Sequence, residues 1–231
     1  DGHPVIPRSG YLVEFNALWY NALKFAEEIA KEKGNIDYSD KLKENAETAC
    51  KSFVNKFMNE AGYLYDYIDG NYKDLNVRPN MIFAVSLPYS PLGKRQKKSV
   101  LDFVTKELLA NCGLRTLSPK SDRFRPHYNG SENDKKFAYF NGMAFPWLFG
   151  AYIEAYLNLF QLSGLSLAER IIVNMENELQ NDCIGSISEF YDSNPPFIAH
   201  GGYSFAMSVA ELLRAKKIIS SYNTENVDIK K

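Results

Sequence analysis

The sequence predicts an all-α chain, built as an array of helical hairpins. Three observations carry that prediction. Apolar residues recur at i, i+3, i+4 and i+7 through several long runs, while strand-like alternation is confined to short pieces. Short turns join successive helices on one side, and long aromatic loops return on the other, which clusters those loops on one face. The units are too long and irregular for a peptide-binding helical repeat of about 34–47 residues.

Residues 1–10 are a turn-rich lead-in. From Tyr11 the pattern turns helical, with Phe15, Leu18, Trp19, Ala22, Phe25, Ala26 and Ile29 on one stripe, and Gly34 ends the run. A second helix is expected from Ser39 to Asn59, capped by Ser39 or Asp40. Residues 61–80 mix a short hairpin piece with loop, and a short helix follows near Met81–Ser86. A clearer helix spans Arg95–Ala110. Residues 111–142 read as a second long loop. Helices are then expected over Ala144–Leu162 and Ser166–Gln180, joined at Ser163-Gly164, and over Ser204–Ser221. The polar tail, 223–231, reads as frayed.

At 231 residues the chain suits one large domain or two small ones. It is 45% hydrophobic and 24% charged, enough for a sizeable core. The net charge of −1 gives no footprint for nucleic acid or an anionic membrane. No apolar run approaches the roughly 20 residues of a membrane span. Cys50, Cys112 and Cys183 have neither disulfide-scaffold nor zinc spacing, which favours a reducing compartment. The chain starts Asp-Gly-His, so the missing secretory signal carries little weight.

The stretch from Cys183 to Gly202 organises the functional reading. It is long, lacks a helical period, and is too apolar at Ile187, Phe190, Tyr191, Phe197 and Ile198 to stay disordered. It carries two carboxylates three apart, Glu189 and Asp192, flanked by rings. A carboxylate on a loop feeding a helix suits acid–base work; the competing reading is a solvated loop acid. Glu14 opens the first helix, where the dipole favours an anion, and Asp66 and Asp69 sit among tyrosines. Paired carboxylates with aromatic surfaces are what glycoside hydrolysis requires. Loop arginines, Arg8, Arg78, Arg115, Arg123 and Arg125, either hold hydroxyls or pin long loops. Trp19 and Trp147 read as core or as ligand platforms, and the basic run 93–99 as a solvated helix start. His3, His127 and His200 are isolated, so no zinc motif is present. The absence of P-loop, G-x-G-x-x-G and G-x-S-x-G patterns disfavours nucleotide and serine-hydrolase chemistry.

Several blocks carry a resemblance. VEFNALWYNALKFAEEIA (13–30), NVRPNMIFAVSLPYSPL (76–92), GLRTLSP (113–119), AYFNGMAFPWLFGAYIEAYL (138–157), GSISEFYD (185–192) and GGYSFAMSVAELLRA (201–215) occur in that order. Together they resemble the C-terminal glucosidase region of glycogen debranching enzymes, the amylo-α-1,6-glucosidase family. The resemblance implies an (α/α)6 toroid like glucoamylase, with residues 1–231 as its C-terminal part. It implies inverting hydrolysis of the α-1,6-linked glucose left at a trimmed branch, in the cytoplasm, without a metal or organic cofactor. Implied partners are glycogen, a branched α-glucan or limit dextrin, and the N-terminal part of the parent chain.

Carried over by position, Glu189 matches the general base that activates water. Arg8, Glu14, Trp19 and Asn21 match pocket or near-pocket positions. Arg78, Arg115, Tyr139 and Asn141 fall in blocks that line the same cavity, and Trp147, Asp192 and His200 complete the expected substrate-binding set. The family's general acid is an Asp in a Thr-Trp-Met-Asp segment preceding the point where this sequence begins; Asp1 matches a later position. The resemblance thus implies a fragment holding the base without the acid, inactive alone, with apolar helix faces laid open. The pocket also departs from the family pattern. AYHQGTVWPW becomes AYFNGMAFPW, placing Phe140, Asn141 and Phe145 where His, Gln and Trp are usual. RGC..QAWSVAE is likewise altered at His200, Gly202, Phe205 and Met207. A glucan-binding module that kept the fold and lost the chemistry is the alternative these changes motivate.

Overall fold

The computed structural model describes residues 4–181 and 184–229, with the backbone alone over 223–229. Expectations for Asp1, His3 and Cys183, and for the side chains of the tail, fall outside the described residues. Helices dominate. The helix α1 spans Val13–Glu32 and α2 spans Ile36–Phe57. They are joined by Gly34, whose φ of +74° takes the left-handed conformation that glycine supplies without a Cβ clash. The cap of α2 is Asn35, whose side chain accepts from Tyr38 N at 3.4 Å, rather than Ser39 or Asp40. Ser39 is instead buried and donates to the Glu27 carbonyl at 3.2 Å.

The short elements expected over 61–86 are present. Strands β2 (Tyr67–Asp69) and β3 (Tyr72–Lys73) form a hairpin extended by β1 (Tyr11–Leu12). A 3-10 turn over Pro79–Ile82 runs into α3, Phe83–Ser86. The helix expected over Arg95–Ala110 is α4, Lys94–Phe103, which widens into a π turn at Val104–Leu108 and ends as strand β4, Leu109–Ala110. The stretch 111–142 is not all loop. It contains β5, Gly113–Arg115, and α5, Glu132–Phe140, whose N-cap Ser131 and Asp134 form a reciprocal capping pair. The helix expected from Ala144 begins later. Ala144–Phe145 is strand β6, and α6 runs Leu148–Phe160. Then come α7 (Leu165–Glu178), β7 (Phe190–Tyr191), β8 (Ala199–His200) and α8 (Ala206–Ile229).

Strands β4 to β8 make a continuous antiparallel sheet in sequence order. Each strand is two or three residues long, too short for the alternation that reveals strands in a sequence. The sheet gathers the loop ends of α4, α5, α6 and α7 on one side of the helices. It is the scaffold on which the Glu189 segment hangs.

The main core lies among α3, α4, α6, α7 and α8, around fully buried Leu101, Leu108, Tyr152 and Ile153. Burying each such side chain contributes about 1.5–3 kcal/mol. A smaller cluster, Leu23, Ala30, Leu42 and Ala46, holds α1 to α2. The expected apolar stripe of α1 is not its buried face. Val13, Ala17, Leu23 and Ala30 are buried, while Phe15 is 62% and Phe25 is 55% exposed. Helix α2 and the 79–86 turn occupy another side of α1, so that of the stripe Ala26 packs against the smaller cluster while Phe15, Leu18, Trp19, Phe25 and Ile29 stay exposed. Close to the sheet, Gly150 lets α6 approach α8, where Arg214 bridges Glu154 at 2.8 Å and Glu211 at 2.9 Å. Among the described residues, no helix is long and apolar enough to cross a membrane.

The sheet depends on Gly113. A Cβ there would lie 2.4 Å from the Phe145 carbonyl carbon and 2.6 Å from its nitrogen, both backbone atoms of β6. Gly113→Ala is expected to destabilise the chain by about 1–3 kcal/mol through overpacking, read as a lower denaturant midpoint. An unchanged midpoint would show that β5 and β6 do not approach this closely.

Candidate active site

A cavity of about 530 Å³ opens beside the sheet. One wall is the lead-in segment at Pro4–Arg8 and the turn at Arg78–Asn80. The other is Thr116, the end of α5 and the start of α6. Trp147 stands at the N-cap of α6 and stacks on Phe83, with ring centres 6.1 Å apart and planes 22° from parallel. With Tyr139, Phe140 and Phe145 it gives the cavity an aromatic lining. That suits the flat apolar faces of a sugar ring.

Glu189 lies behind Tyr139, itself a lining residue. The Tyr139 hydroxyl donates to Glu189 Oε1 at 2.8 Å, and the Gly202 amide donates to Oε2 at 3.1 Å. The Gly202 carbonyl also accepts from Glu189 N at 3.0 Å. A carboxylate has about four lone-pair positions, so two remain for water. Burial, and then the bond to Glu189, push the Tyr139 phenol far above its usual value. Gly201 is required here by space as well as conformation. Its φ is +77°, and a Cβ would fall 2.5 Å from Glu189 Oε2.

The cations of the cavity are held by groups of the wall. Arg8 forks onto Glu14, with both contacts at 2.7 Å, and its Nε meets Asp66 Oδ2 at 2.6 Å. Asn80 Nδ2 donates to Asp66 Oδ1 at 2.8 Å. Burial pushes the Asp66 carboxyl up, opposed by Arg8 and Asn80. The geometry is that of an ion pair: Arg8 Nη2 and Asn80 Nδ2 donate to Asp66 Oδ1 at 3.1 and 2.8 Å, and Arg8 Nε lies 2.6 Å from Oδ2 without the alignment of a hydrogen bond. Arg78 is buried and donates to the carbonyls of Thr116 (3.0 Å) and Phe140 (2.7 Å) and to Asn141 Oδ1 (3.0 Å).

The structure brings Arg8, Arg78, Tyr139 and Trp147 to the cavity lining, with Glu14, Asn141 and Glu189 bonded directly to them. Asn141 is fully buried; its amide also donates to the Phe137 carbonyl at 2.9 Å, so it supports the wall from behind. Asp192 and His200 form a separate cluster. Asp192 Oδ1 takes His200 Nε2 at 2.9 Å and Tyr128 N at 2.8 Å, and Oδ2 meets His127 Nδ1 at 3.0 Å. Buried as it is, this carboxylate acts as a clamp between the 127–128 segment and the β7–β8 hairpin. Arg115 pins the same hairpin, donating to the Leu109 carbonyl at 2.8 Å and the Ser193 carbonyl at 3.1 Å. Trp19 and Asn21 stand on α1 and are not part of the lining. Trp19 is 60% exposed, and Asn21 Oδ1 accepts from Tyr89 N at 3.1 Å.

Asn80 and Thr116 line the cavity without having been singled out in the sequence. The signal for Asn80 was adjacent, in the Arg78-Pro79-Asn80 triplet. A proline at the first position of a turn fixes which neighbours project to one side.

Two expectations follow. Gly201→Ala should displace the Glu189 carboxylate and lower stability by about 1–3 kcal/mol; full stability, with the Glu189 side-chain resonances unmoved, would contradict the clasp. Tyr139 gives a pH dependence. Its folded pKa lies above the unfolded value of 10.0. Its contribution is therefore complete below pH 10.0 and is lost as pH rises above it, because the unfolded phenol ionises first. Tyr139→Phe should flatten the fall in stability on the alkaline side, and an identical slope in both proteins would refute the assignment.

Comparison with known proteins agrees with this architecture. The family described as amylo-alpha-1,6-glucosidase matches residues 1–214. A glycogen debranching enzyme of Saccharomyces cerevisiae is 25% identical over 191 residues, covering 67% of this chain and 12% of that protein. The chain therefore spans about an eighth of the length of that relative. Among solved structures, neutral trehalase Nth1 from Saccharomyces cerevisiae superposes with a TM-score of 0.62 at 16% identity, over 90% of this chain and 39% of the trehalase. A GH63 mannosylglycerate hydrolase from Thermus thermophilus, in complex with glucose, gives 0.62 at 14% identity, over 87% of this chain and 44% of that one. At these identities the likeness establishes the fold, a part of an (α/α)6 toroid. With the family pattern running through the elements that build the cavity and the Glu189 clasp, the chain belongs to the amylo-α-1,6-glucosidase family.

Proposed function

We propose that this chain supplies the water-activating half of an inverting α-1,6-glucosidase site in cytoplasmic glycogen debranching. The observation that carries the reading is the clasp on Glu189. A carboxylate with free lone pairs is held by Gly202 and by Tyr139, whose ring lines the cavity. Glu189 takes a proton from water, and the resulting nucleophile attacks the anomeric carbon of the terminal glucose. The leaving glycosidic oxygen takes its proton from an acid on the opposite face, about 6.5–9.5 Å from the base. That acid is not supplied by Glu14 or Asp66, since both are paired with the Arg8 guanidinium. We assign it to the Asp of the family's Thr-Trp-Met-Asp segment, in the N-terminal part of a longer enzyme. Arg8, Arg78, Tyr139 and Trp147 shape the glucose pocket, and the chain alone is inactive.

A second reading rests on Phe140, which faces the cavity with an apolar ring where the family usually carries His. In that reading the region binds branched glucan without cleaving it. The test is glucose release from phosphorylase-limit dextrin, by this chain and by a form extended through the acid. Only the extended form should release glucose, and Glu189→Gln in it should lower kcat by roughly 10²–10⁴-fold. Release by the short chain would overturn the split site. Dextrin binding by both forms with release by neither would select the binding module.

A further inference from the structure

We propose that Asn80 is a sugar-binding residue of this cavity, its carboxamide oxygen accepting a hydroxyl of the bound glycosyl unit. The proposal rests on the glucan reading above and identifies a contact that reading does not include.

The amide orientation is fixed by chemistry. Asp66 faces the Arg8 guanidinium as an ion pair does, and the Asn80 group that faces its Oδ1 at 2.8 Å is the NH2. The carboxamide is planar, and its oxygen lies on the other branch. Asn80 itself lines the cavity. Its Oδ1 takes no hydrogen bond from the described residues, whereas Asp66 is 1% exposed and sits behind the wall. The oxygen is therefore the polar end left to the cavity.

The neighbouring groups agree on what this oxygen would meet. Through their terminal nitrogens Arg8 bonds Glu14 and Asp66, and Arg78 bonds two carbonyls and Asn141, while the Nε of each is buried without a hydrogen-bond partner. The Tyr139 hydroxyl gives its proton to Glu189, leaving its own oxygen as an acceptor. Asn80 Oδ1 and the Tyr139 oxygen are thus acceptors on residues of the lining. A ligand that satisfies them must bring donors, as the hydroxyls of a neutral sugar do. Asp66 holds the amide from behind, so little rotamer freedom remains to be lost on binding.

The test is calorimetric titration of the chain with glucose and its monodeoxy analogues. One analogue should bind about tenfold more weakly than glucose. In Asn80→Leu, glucose should lose a similar factor, and that same analogue should no longer be distinguished from it. Thermal melts check folding. If Asn80→Leu does not fold, Asn80→Ser makes the same comparison, because its oxygen is too short to reach the ligand. If the variant discriminates among the analogues as the parent does, Asn80 makes no contact and the proposal falls, with the glucan reading intact. If the parent binds neither glucose nor limit dextrin, both fall.

Discussion

A buried guanidinium sets the frame of this site. Arg78 is 4% exposed, and among the described residues no carboxylate is hydrogen-bonded to it. Placing a charge there costs several kcal/mol unless acceptors replace the lost water. Two carbonyls and one amide oxygen do so, and burial still draws the Arg78 pKa downward, against the pull of Asp66 and Asp74. The acceptors come from the strand side of the cavity, at Thr116, and from the C-terminal end of α5, at Phe140 and Asn141. One cation therefore fixes the distance between two otherwise separate segments. Tyr139 is the residue before Phe140, so this anchor restrains its backbone, and the rings of Phe145 and Phe190, 5.0 and 4.9 Å away, confine its side chain. The hydroxyl that holds Glu189 is set by the same constraint.

The segment that carries Glu189 has its own anchor, of opposite sign. Asp192 holds His127, His200 and the Tyr128 amide, closing the hairpin that carries Gly201 and Gly202. His200 stacks on Phe190 at 5.6 Å, and Phe190 meets Tyr139 edge-on at 4.9 Å. The two anchors are joined by the sheet, in which Ala144 pairs with Arg115 on one side and Tyr191 on the other. The Tyr139–Glu189 bond forms where these two anchored segments meet. Preorganisation of that kind matters for a base, because the carboxylate need not be reoriented at the moment of proton transfer.

The helices were legible in the sequence because their apolar period is long. The sheet was not, since two-residue strands such as Phe190–Tyr191 leave no period to read. Helix α1 shows a further limit. Its stripe of Phe15, Leu18, Trp19, Phe25 and Ile29 identified a helix correctly and its buried face wrongly, because periodicity reveals an apolar face and not what packs on it. At the site, Glu189 stood out as a carboxylate among rings on a long loop. Asp192 stood out equally and has a different job, which only the two histidines and the amide around it disclose. Asn80 could not be found at all from residue type. Its importance comes from Asp66, fourteen positions earlier, and from a wall that exists only in the fold.

The departures from the family pattern acquire different weights once they are placed. Asn141 in the usual Gln position keeps an amide oxygen for Arg78 and faces no solvent, so it alters the wall from behind. Phe145 in the usual Trp position meets Tyr139 at 5.0 Å and Phe190 at 5.4 Å; an aromatic ring there supports both neighbours. At Phe140 the anchor to Arg78 is made by the backbone carbonyl, which any residue provides. The side chain is thus free to vary without loosening the frame, and it is 43% exposed on the cavity lining. Of the three changes, this one replaces a polar ring with an apolar ring where a ligand would sit. Within the block 138–147 the departure therefore reduces to a question about one side chain, set in a frame that the other two substitutions preserve.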